Sequence, residues 1–488
     1  MRKMGALLKT NAHVVDVLGN VIGRDQPILR MEKAVEMVSL IGKENFMNKD
    51  VVFFDPFCKA GELLLSCAYQ SCLSLLKEES RLMNTQEIFE EIFMSKRYYA
   101  LAPDERHHKL SLRTFLGNEN SHRDEFNHVI RNGNYLSEVD GTLNRAVFKK
   151  EFEDMINYIK KDSGAKKIIA VGNPPYQESD SGFGGSARAI YNHFVEALMD
   201  SDDIDEFVVV IPSRWFAVGK GVDKFRERIL ASSEIKSLHY FSKSKTVFPT
   251  VDVLGGVCFF HYSSSHSGKT SFVEGDVVSK IDISQFDIIP DDPKAYSIIN
   301  KIMSNHNVFI NEIAWSRNPY GLPSTFFRDN EEADSNDVNS IKCYSRGRKI
   351  KLTTTNEIRK NNDKVNFYKV VIPSAYAPGS KTGVRRVTLP VNQFFILNKD
   401  EITTETYSVI DIFKTKTEAE RFVKYLQTDF ARYLLGLRKI TQHIPKDRWA
   451  WVPYLDMKSE WTDEKLFEKF NLTSSEIANI KKKVEEWS

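Results

Sequence analysis

The stretch VGNPPYQ at residues 171–177 places an asparagine and two prolines directly after the apolar run KIIAV. Proline has no backbone N–H and holds its φ angle near −65°, so a buried strand cannot continue through Pro174 and Pro175. Two interpretations are open at this point. Either the prolines only end a strand, or they hold Asn173 and Tyr176 rigid because a ligand requires it.

Polar side chains also follow three other apolar runs. Asp55 ends DVVFFD and is followed by a turn and Gly61, Asp104 and Glu105 follow RYYALA, and Asn134 follows FNHVIRN. In a doubly wound sheet, ligands bind at the carboxyl ends of the strands. An acid at a strand tip before a glycine turn suits a nucleoside with an amino-acid-like tail, and the next two acids can accept hydrogen bonds from ribose hydroxyls.

The elements that position these residues follow from the alternation of apolar runs and helical patterns between residues 50 and 262. Strands are predicted over 50–55, 97–102, 126–132, 166–172, 206–212, 234–241 and 255–262. Helices are predicted over 62–78, 104–116, 146–161, 187–200 and 222–232. This alternation predicts an α/β fold with a mostly parallel sheet covered on both faces. Because no helical pattern separates the last two strands, they predict a hairpin whose final strand is antiparallel.

A domain boundary is predicted near residue 265, at the polar stretch SSSHSG. We therefore expect four parts: an N-terminal helical segment, an α/β domain, a mixed α+β domain and a C-terminal helical segment, over residues 1–48, 49–265, 266–460 and 461–488. In the last part, Thr473 and Glu476 predict a helix capping box.

In this order along the chain, the motifs resemble those of the S-adenosylmethionine-dependent DNA adenine methyltransferases whose cofactor motif precedes the catalytic motif. DPFCKAGELLL, beginning at Asp55, is similar to their cofactor motif DPxCGSGxFL, and NPPY at 173–176 matches their catalytic motif. Later segments resemble restriction-modification methylases with long C-terminal halves, so the resemblance extends over about 27–460. It implies a Rossmann-like methyltransferase sheet over 49–265 and a target-recognition domain over 266–460.

The resemblance assigns a role to each residue of the NPPY motif. The exocyclic amine of adenine is a poor nucleophile because its lone pair is conjugated with the ring. The Asn173 side-chain oxygen and the Pro174 carbonyl would accept from its two N–H bonds, and Tyr176 would stack on the base. Phe248 would pack on the other side of a base that has been flipped out of the duplex.

The resemblance also implies that S-adenosylmethionine is bound by Asp55, Phe57, Gly61, Asp104 and Asn134. Two positions depart from the family pattern. Asn134 stands where an aspartate is frequent, so we expect weaker cofactor binding through a neutral acceptor. Lys59 stands where glycine is usual; its ammonium could meet the cofactor carboxylate, or its side chain could constrain the turn.

The overall charge of +2 conceals a basic window between Lys342 and Arg386. The window contains twelve Lys and Arg residues and two acids, so its net charge is +10. On charge alone it could be a solvated face or a surface for a polyanion. Together with the resemblance to methylases, the basic window predicts binding to the DNA backbone. The candidate DNA-binding residues are Arg346, Arg348, Lys349 and Lys369. The Gly- and Ser-rich stretch 177–187 is interpreted as either a surface loop or a lid over the target base.

Together these features predict a site-specific DNA adenine methyltransferase, the modification part of a restriction–modification or phage-defence system. Its expected partner is double-stranded DNA. A separate nuclease or helicase subunit is a further candidate partner, because the 54 residues that precede the cofactor motif are too few for a nuclease domain. Alternatives are a DNA-specificity subunit with a silent catalytic domain, a release-factor glutamine methyltransferase and an RNA adenine methyltransferase.

The remaining composition predicts a cytoplasmic protein with no membrane association. No apolar run reaches the roughly 18 residues needed to span a bilayer, and no signal peptide is predicted. The five cysteines form no CxxC pair, so we expect reduced thiols and no metal site.

Overall fold

The computed structural model describes residues 28–79, 95–116, 129–137, 141–178, 188–217, 221–249, 251–253, 255–376, 388–439 and 442–487. The chain divides into two compact units between Ile289 and Pro290. Unit 1 contains the strand tips singled out above, and unit 2 contains the basic window. Elements are numbered below over the described residues.

Unit 1 is built on a nine-stranded sheet in the order β3-β2-β1-β4-β5-β7-β6-β8-β9. Its strands are β1 Val51–Asp55, β2 Tyr98–Ala102, β3 Ile130–Asn132, β4 Lys167–Gly172, β5 Glu206–Pro212, β6 Ile235–Phe241, β7 Val257–Ser263, β8 Thr270–Glu274 and β9 Val277–Ile281. The first five strands pair in parallel. Every residue of β1, β2, β5 and β7 is buried, as expected for a sheet covered on both faces. The predicted Rossmann-like α/β fold is therefore confirmed.

The predicted final hairpin is present, because β7 lies antiparallel between β5 and β6. The sheet then continues beyond residue 265: β8 pairs in parallel with β6, and β9 pairs antiparallel with β8. Unit 1 consequently extends to Ile289, past the predicted boundary at 265. The polar stretch at that boundary is a connection between two strands of one sheet, not a linker between domains.

The helices of unit 1 are α1 Met31–Ser39, α2 Lys43–Met47, α3 Glu62–Glu79, α4 Glu105–Leu116, α5 Arg145–Ser163, α6 Tyr191–Met199 and α7 Asp223–Leu230. Local signals explain their ends. Asn144 caps α5 by accepting a hydrogen bond from the Val147 N–H, and Gly164 ends it in the left-handed conformation. Gly61 adopts φ +78° immediately before α3, a backbone conformation that glycine permits. None of the described helices is long and apolar enough to cross a membrane.

Unit 2 contains two three-stranded sheets, ordered β11-β10-β14 and β13-β12-β15. The strands are β10 Ser340–Ser345, β11 Lys349–Thr354, β12 Tyr368–Pro373, β13 Phe395–Leu397, β14 Glu401–Thr403 and β15 Tyr407–Phe413. Its helices are α8 Ala295–Asn305, α9 Ile310–Ile313, α10 Phe326–Asp329, α11 Lys416–Leu426, α12 Asp429–Arg438, α13 Asp463–Lys469 and α14 Ser474–Trp487. Residues from both sheets share one hydrophobic cluster.

The predicted C-terminal segment 461–488 packs within unit 2. The rings of Tyr433 and Trp487 stack with centroids 5.7 Å apart, which joins α12 to α14. The capping box of α14 is confirmed: the Glu476 N–H donates to Thr473 Oγ1 over 3.3 Å, and the Thr473 N–H donates to Glu476 Oε2 over 2.7 Å.

Candidate functional site

The turn after β1 and the NPPY turn after β4 lie side by side in unit 1. Val51 to Phe54 pair with Lys167 to Ala170 in parallel register, so both strands end at the same edge of the sheet. Parallel strands bring their carboxyl ends together, which is where such sheets bind ligands. The tertiary structure therefore unites Asp55–Glu62 and Asn173–Tyr176, which are separated by more than a hundred residues in the chain.

Asp55 holds the turn after β1 together. One of its carboxylate oxygens accepts a hydrogen bond from the Phe57 N–H over 3.0 Å. The side chain is buried, and burial together with the nearby carboxyl of Glu62 raises the pKa of Asp55 well above its usual value. Asp55 therefore has the position predicted for it, at the end of β1.

Phe57 has a different environment from the one predicted. Its ring is 1% exposed and packs against Phe148 and Phe194, with centroid distances of 6.0 and 5.0 Å. A Cβ added at Gly172 would lie 2.5 Å from Cδ2 of this ring. Phe57 thus supports the NPPY turn from beneath, and a direct cofactor contact by its side chain is not supported.

Lys59 and Glu62 are oppositely charged residues of the same turn, and both are buried. Burial raises the pKa of Glu62, and the positive charge of the Lys59 ammonium counteracts this rise. Glu62 Oε1 accepts from the Leu29 N–H over 3.4 Å, whereas Oε2 has no hydrogen-bond partner among the described residues. A buried carboxylate oxygen of this kind suits a donor on a ligand.

The two acids after β2 differ in exposure, because Asp104 is buried whereas Glu105 is accessible to solvent. Asp104 Oδ1 accepts from the His107 N–H over 3.0 Å, and Oδ2 lies 2.7 Å from His107 Nδ1. Burial acts to raise the pKa of Asp104, but these contacts with His107 outweigh it and the pKa is lowered. Asp104 is thus engaged at the start of its own helix, α4. Glu105 is the accessible acid, with its carboxylate accepting from Asn132 Nδ2 over 2.9 Å.

Asn134 lies at the mouth of a cavity of about 750 Å³ in unit 1. It is exposed and has φ +47°, and its N–H donates to Asn132 Oδ1 over 3.1 Å. The cavity is lined by residues that follow β3, by the start of α5, and by Glu178 and Arg188 after the NPPY motif. Asn134 can therefore reach a ligand in this cavity, and its contact with the cofactor stays a prediction.

The NPPY turn holds its polar and aromatic groups in buried positions. Asn173 is 2% exposed, and Tyr176 donates a long hydrogen bond of 3.4 Å to the Val210 carbonyl on neighbouring β5. The Tyr176 and Phe248 rings are 6.1 Å apart with their planes at 75°. The structure therefore brings together the two predicted stacking residues, in an edge-to-face contact. The predicted lid at 177–187 lies largely outside the described residues.

Among the predicted DNA-binding residues, Arg346, Arg348 and Lys349 lie at the tip of the hairpin β10–β11 in unit 2. The Arg348 N–H donates to the Tyr407 hydroxyl over 2.8 Å, and its guanidinium lies 4.5 Å from the Phe395 ring centroid. Arg348 thereby fixes the tip, on which Arg346 and Lys349 are exposed.

The prediction for Lys369 was wrong. Its side chain is 0% exposed, and the ammonium donates to the carbonyls of Val365 and Asn398 over 2.5 and 2.9 Å. Burial lowers its pKa to about 8. The positive charge of the window suggested a surface residue, but β12 is buried on both faces from Lys369 to Ile372, and the Lys369 side chain is buried with its neighbours. Lys381, Arg385 and Arg386 lie outside the described residues.

Two residues at the site were missed by the sequence reasoning. Glu62 follows the glycine of the turn after β1, and its position in the first turn of α3 was the available signal. Gly172 directly precedes the NPPY motif, where a small residue signals a close approach of another group. The need for glycine became evident only when the Phe57 ring was found beneath it. Among the described residues, no group of acids, histidines and cysteines could hold a metal ion.

Comparison with known proteins adds a family match. Residues 66–248 match the model of the Eco57I restriction-modification methylase family. This stretch includes the NPPY motif and Phe248 but begins after the turn Asp55–Glu62. A segment of 118 residues is 33% identical to an uncharacterized adenine-specific methylase from Mycoplasma pneumoniae and covers 23% of this chain and 28% of that relative. The chain thus spans less than a third of this curated relative.

Two solved structures are similar over most of the chain. The Type IIL restriction-modification enzyme MmeI in complex with DNA is 11% identical with a TM-score of 0.42, over 91% of this chain and 66% of that one. The type IIG restriction endonuclease BpuSI is 12% identical with a TM-score of 0.42, over 97% and 67%.

Proposed function

Because residues 66–248 match the model of the Eco57I restriction-modification methylase family, we propose that the protein is a site-specific DNA adenine methyltransferase using S-adenosylmethionine. The observation that carries this proposal is the side-by-side placement of the turn after β1 and the NPPY turn after β4. A methyl donor and a target amine held by these two turns would lie next to each other. The protein would act as the modification part of a restriction–modification system.

The residues of the first turn fit such a donor. S-adenosylmethionine supplies a methyl group made electrophilic by the sulfonium to which it is attached. Asp55 and Glu62 offer buried carboxyls to a ligand that carries positive charge, and Glu62 Oε2 has no hydrogen-bond partner among the described residues. Glu105 is the accessible acid for ribose hydroxyls, and Asn134 offers an amide oxygen at the cavity mouth. We assign the ribose contact to Glu105 in place of Asp104.

Asn173 and Pro174 would bind the target amine. Their two oxygens accept from its two N–H bonds, which fixes the nitrogen and favours the pyramidal geometry in which its lone pair can attack. Proline restricts the backbone, and a preorganised pair of acceptors loses little entropy when the amine binds. The neutral amine would attack the methyl group, so that the new N–C bond forms as the S–C bond breaks and S-adenosylhomocysteine leaves as a neutral thioether. The methylated amine would then lose one proton to water.

The target base would stack on Tyr176 and Phe248. The rings now contact each other edge to face at 6.1 Å, which leaves no space for a base between them. A base with a face against each ring needs ring planes about 7 Å apart, twice an ordinary van der Waals separation. We therefore infer that Phe248, which follows the short 3₁₀ turn Ser244–Thr246, moves when the base enters.

The β10–β11 hairpin would contact DNA. Its exposed Arg346 and Lys349 provide positive charge, and Ile350 beside them is 50% exposed, which suits an apolar contact within a groove. The major groove admits a two-stranded ribbon of this kind. Arg348 would act mainly by holding the tip in shape.

The second candidate is a DNA-specificity subunit with a silent catalytic domain, which Lys59 favours because a buried lysine occupies the cofactor turn. One experiment separates the two. The full chain is incubated with labelled S-adenosylmethionine and DNA lacking adenine methylation, and the nucleosides are then analysed. We expect N6-methyladenine from the unmodified protein. Asn173→Ala should form none while still binding the cofactor, whereas bound cofactor without any methyladenine from the unmodified protein would favour the silent subunit.

A further inference from the structure

The Lys59 side chain extends from the turn after β1 to the NPPY turn. It is 1% exposed, and its ammonium nitrogen lies 5.6 Å from the centroid of the Tyr176 ring. Its backbone carbonyl accepts a hydrogen bond from Ser111 Oγ over 3.3 Å, which fixes the start of the side chain. A cation therefore lies within the region where a cofactor and a target base would meet.

Among the described residues, groups at the end of β1, at the start of α3 and in the NPPY turn face this ammonium. Asp55 at the end of β1 and Glu62 at the start of α3 are buried acids that stabilise its charge, and Tyr176 presents its aromatic ring. Cys58 adjoins Lys59 in the turn, and the neutral hydroxyl of Ser111 contacts the Lys59 carbonyl from α4. Burial opposes the charge more strongly than the two acids support it, so the pKa of Lys59 is lowered to about 7.

The methyl donor and its product differ in the charge at sulfur, which is a property to which a nearby cation responds. S-adenosylmethionine carries a positive sulfonium, whereas S-adenosylhomocysteine has a neutral thioether at the same place. Two like charges in a poorly solvated site repel, while a neutral thioether meets no such repulsion. We propose that Lys59 makes the protein distinguish methyl donor from product by charge, favouring the product when Lys59 is protonated and the donor when it is neutral.

This inference rests on the proposed binding of S-adenosylmethionine and adds a regulation of that site. If donor binding requires neutral Lys59, its apparent affinity follows the fraction of neutral lysine. With a pKa of about 7, this fraction rises about tenfold between pH 6 and pH 8. The ratio of donor affinity to product affinity should rise by the same factor. Asp55 and Glu62 also titrate, so the test must separate their contribution from that of Lys59.

Isothermal titration calorimetry of both ligands at pH 6, 7 and 8 provides the test, with the full-length protein and two variants. Lys59→Arg keeps a permanent charge, and Lys59→Met removes it at similar length. We expect the ratio of donor affinity to product affinity to rise about tenfold from pH 6 to pH 8 in the unmodified protein. In Lys59→Arg this ratio should stay low at all three pH values, and in Lys59→Met it should stay high at all three. Thermal melting of each variant verifies folding, and Lys59→Met alone is sufficient if the arginine is not accommodated.

A flat ratio in the unmodified protein overturns the inference. So does an equal rise in Lys59→Met, because the carboxyls of Asp55 and Glu62 would then be responsible. These outcomes differ from failure of the proposed function, in which neither ligand binds the unmodified protein at any of the three pH values.

Discussion

Substituting Gly172 by alanine should distort the NPPY turn through a steric conflict with Phe57. The added Cβ would lie 2.5 and 3.0 Å from Cδ2 and Cε2 of the Phe57 ring, and 3.6 Å from Cγ1 of Val209. The ring has little room to withdraw, because Phe148 and Phe194 pack against it. Overpacking of this kind typically costs about 1–3 kcal/mol. Gly172 is adjacent to Asn173, so relief of the clash should also displace Asn173, the proposed acceptor of the target amine.

Two assays measure these effects in Gly172→Ala. A domain of more than 150 residues loses about 2–4 °C of melting temperature per kcal/mol, so thermal unfolding should show a decrease of several degrees. A displacement of about 1 Å at a reacting group can cost about 10²-fold in rate, so labelled methyl transfer should fall by one to two orders of magnitude.

The matched control is Phe57→Leu, which shortens the opposing side chain. In the double variant, the leucine should recover part of the stability and activity lost through Gly172→Ala, and a double-mutant cycle should give a coupling energy well above 0.5 kcal/mol. If Gly172→Ala is as stable and active as the unmodified protein, or if the two substitutions are simply additive, the steric account of this glycine is wrong.

Three further predictions concern other parts of the molecule. Phe248→Ala should weaken binding of DNA with a flipped base by about 1–3 kcal/mol, measured with a fluorescent adenine analogue at the target position once the site is mapped; equal fluorescence in both proteins would exclude stacking by Phe248. Arg346→Gln should weaken DNA binding and reduce its salt dependence by about one phosphate contact, whereas Lys369→Gln should leave the salt dependence unchanged. If Lys369→Gln reduced the salt dependence and Arg346→Gln did not, the hairpin tip would not be part of the DNA interface. The pKa of Lys369 is depressed to about 8 from 10.5 by burial, so the unfolded chain binds more protons between these values and stability should rise with pH across that window. Lys369→Met should lack this rise in urea midpoints measured from pH 7 to 10.5, and a rise retained in the variant would assign it to another group.

The residues at the strand ends show how much of the site follows from local sequence patterns. Apolar runs alternating with helical patterns predicted the strands and helices of unit 1, since a buried parallel strand must be apolar on both faces. The NPPY motif predicted a rigid end to β4 because proline cannot continue the ladder. Parallel pairing then implied that Asp55, Asn134 and Asn173 lie at one edge of the sheet. All of this follows from short-range rules that apply to any chain with these residues.

What each side chain faces was decided by packing between segments distant in sequence. Phe57 belongs to an aromatic cluster, Asp104 is engaged by its own helix, and Lys369 is inside unit 2, although each residue type is compatible with ligand binding. The extension of the sheet by β8 and β9 likewise depends on pairing that no local pattern specifies.

The double proline at 174–175 and the strands around it were thus determined by the sequence, through backbone constraints that act within a few residues. The burial of Lys59 between Asp55, Glu62 and Tyr176 was determined only by the tertiary structure. Burial and the electrostatic field at a group depend on which distant atoms exclude water from it, and those atoms are selected by the fold as a whole.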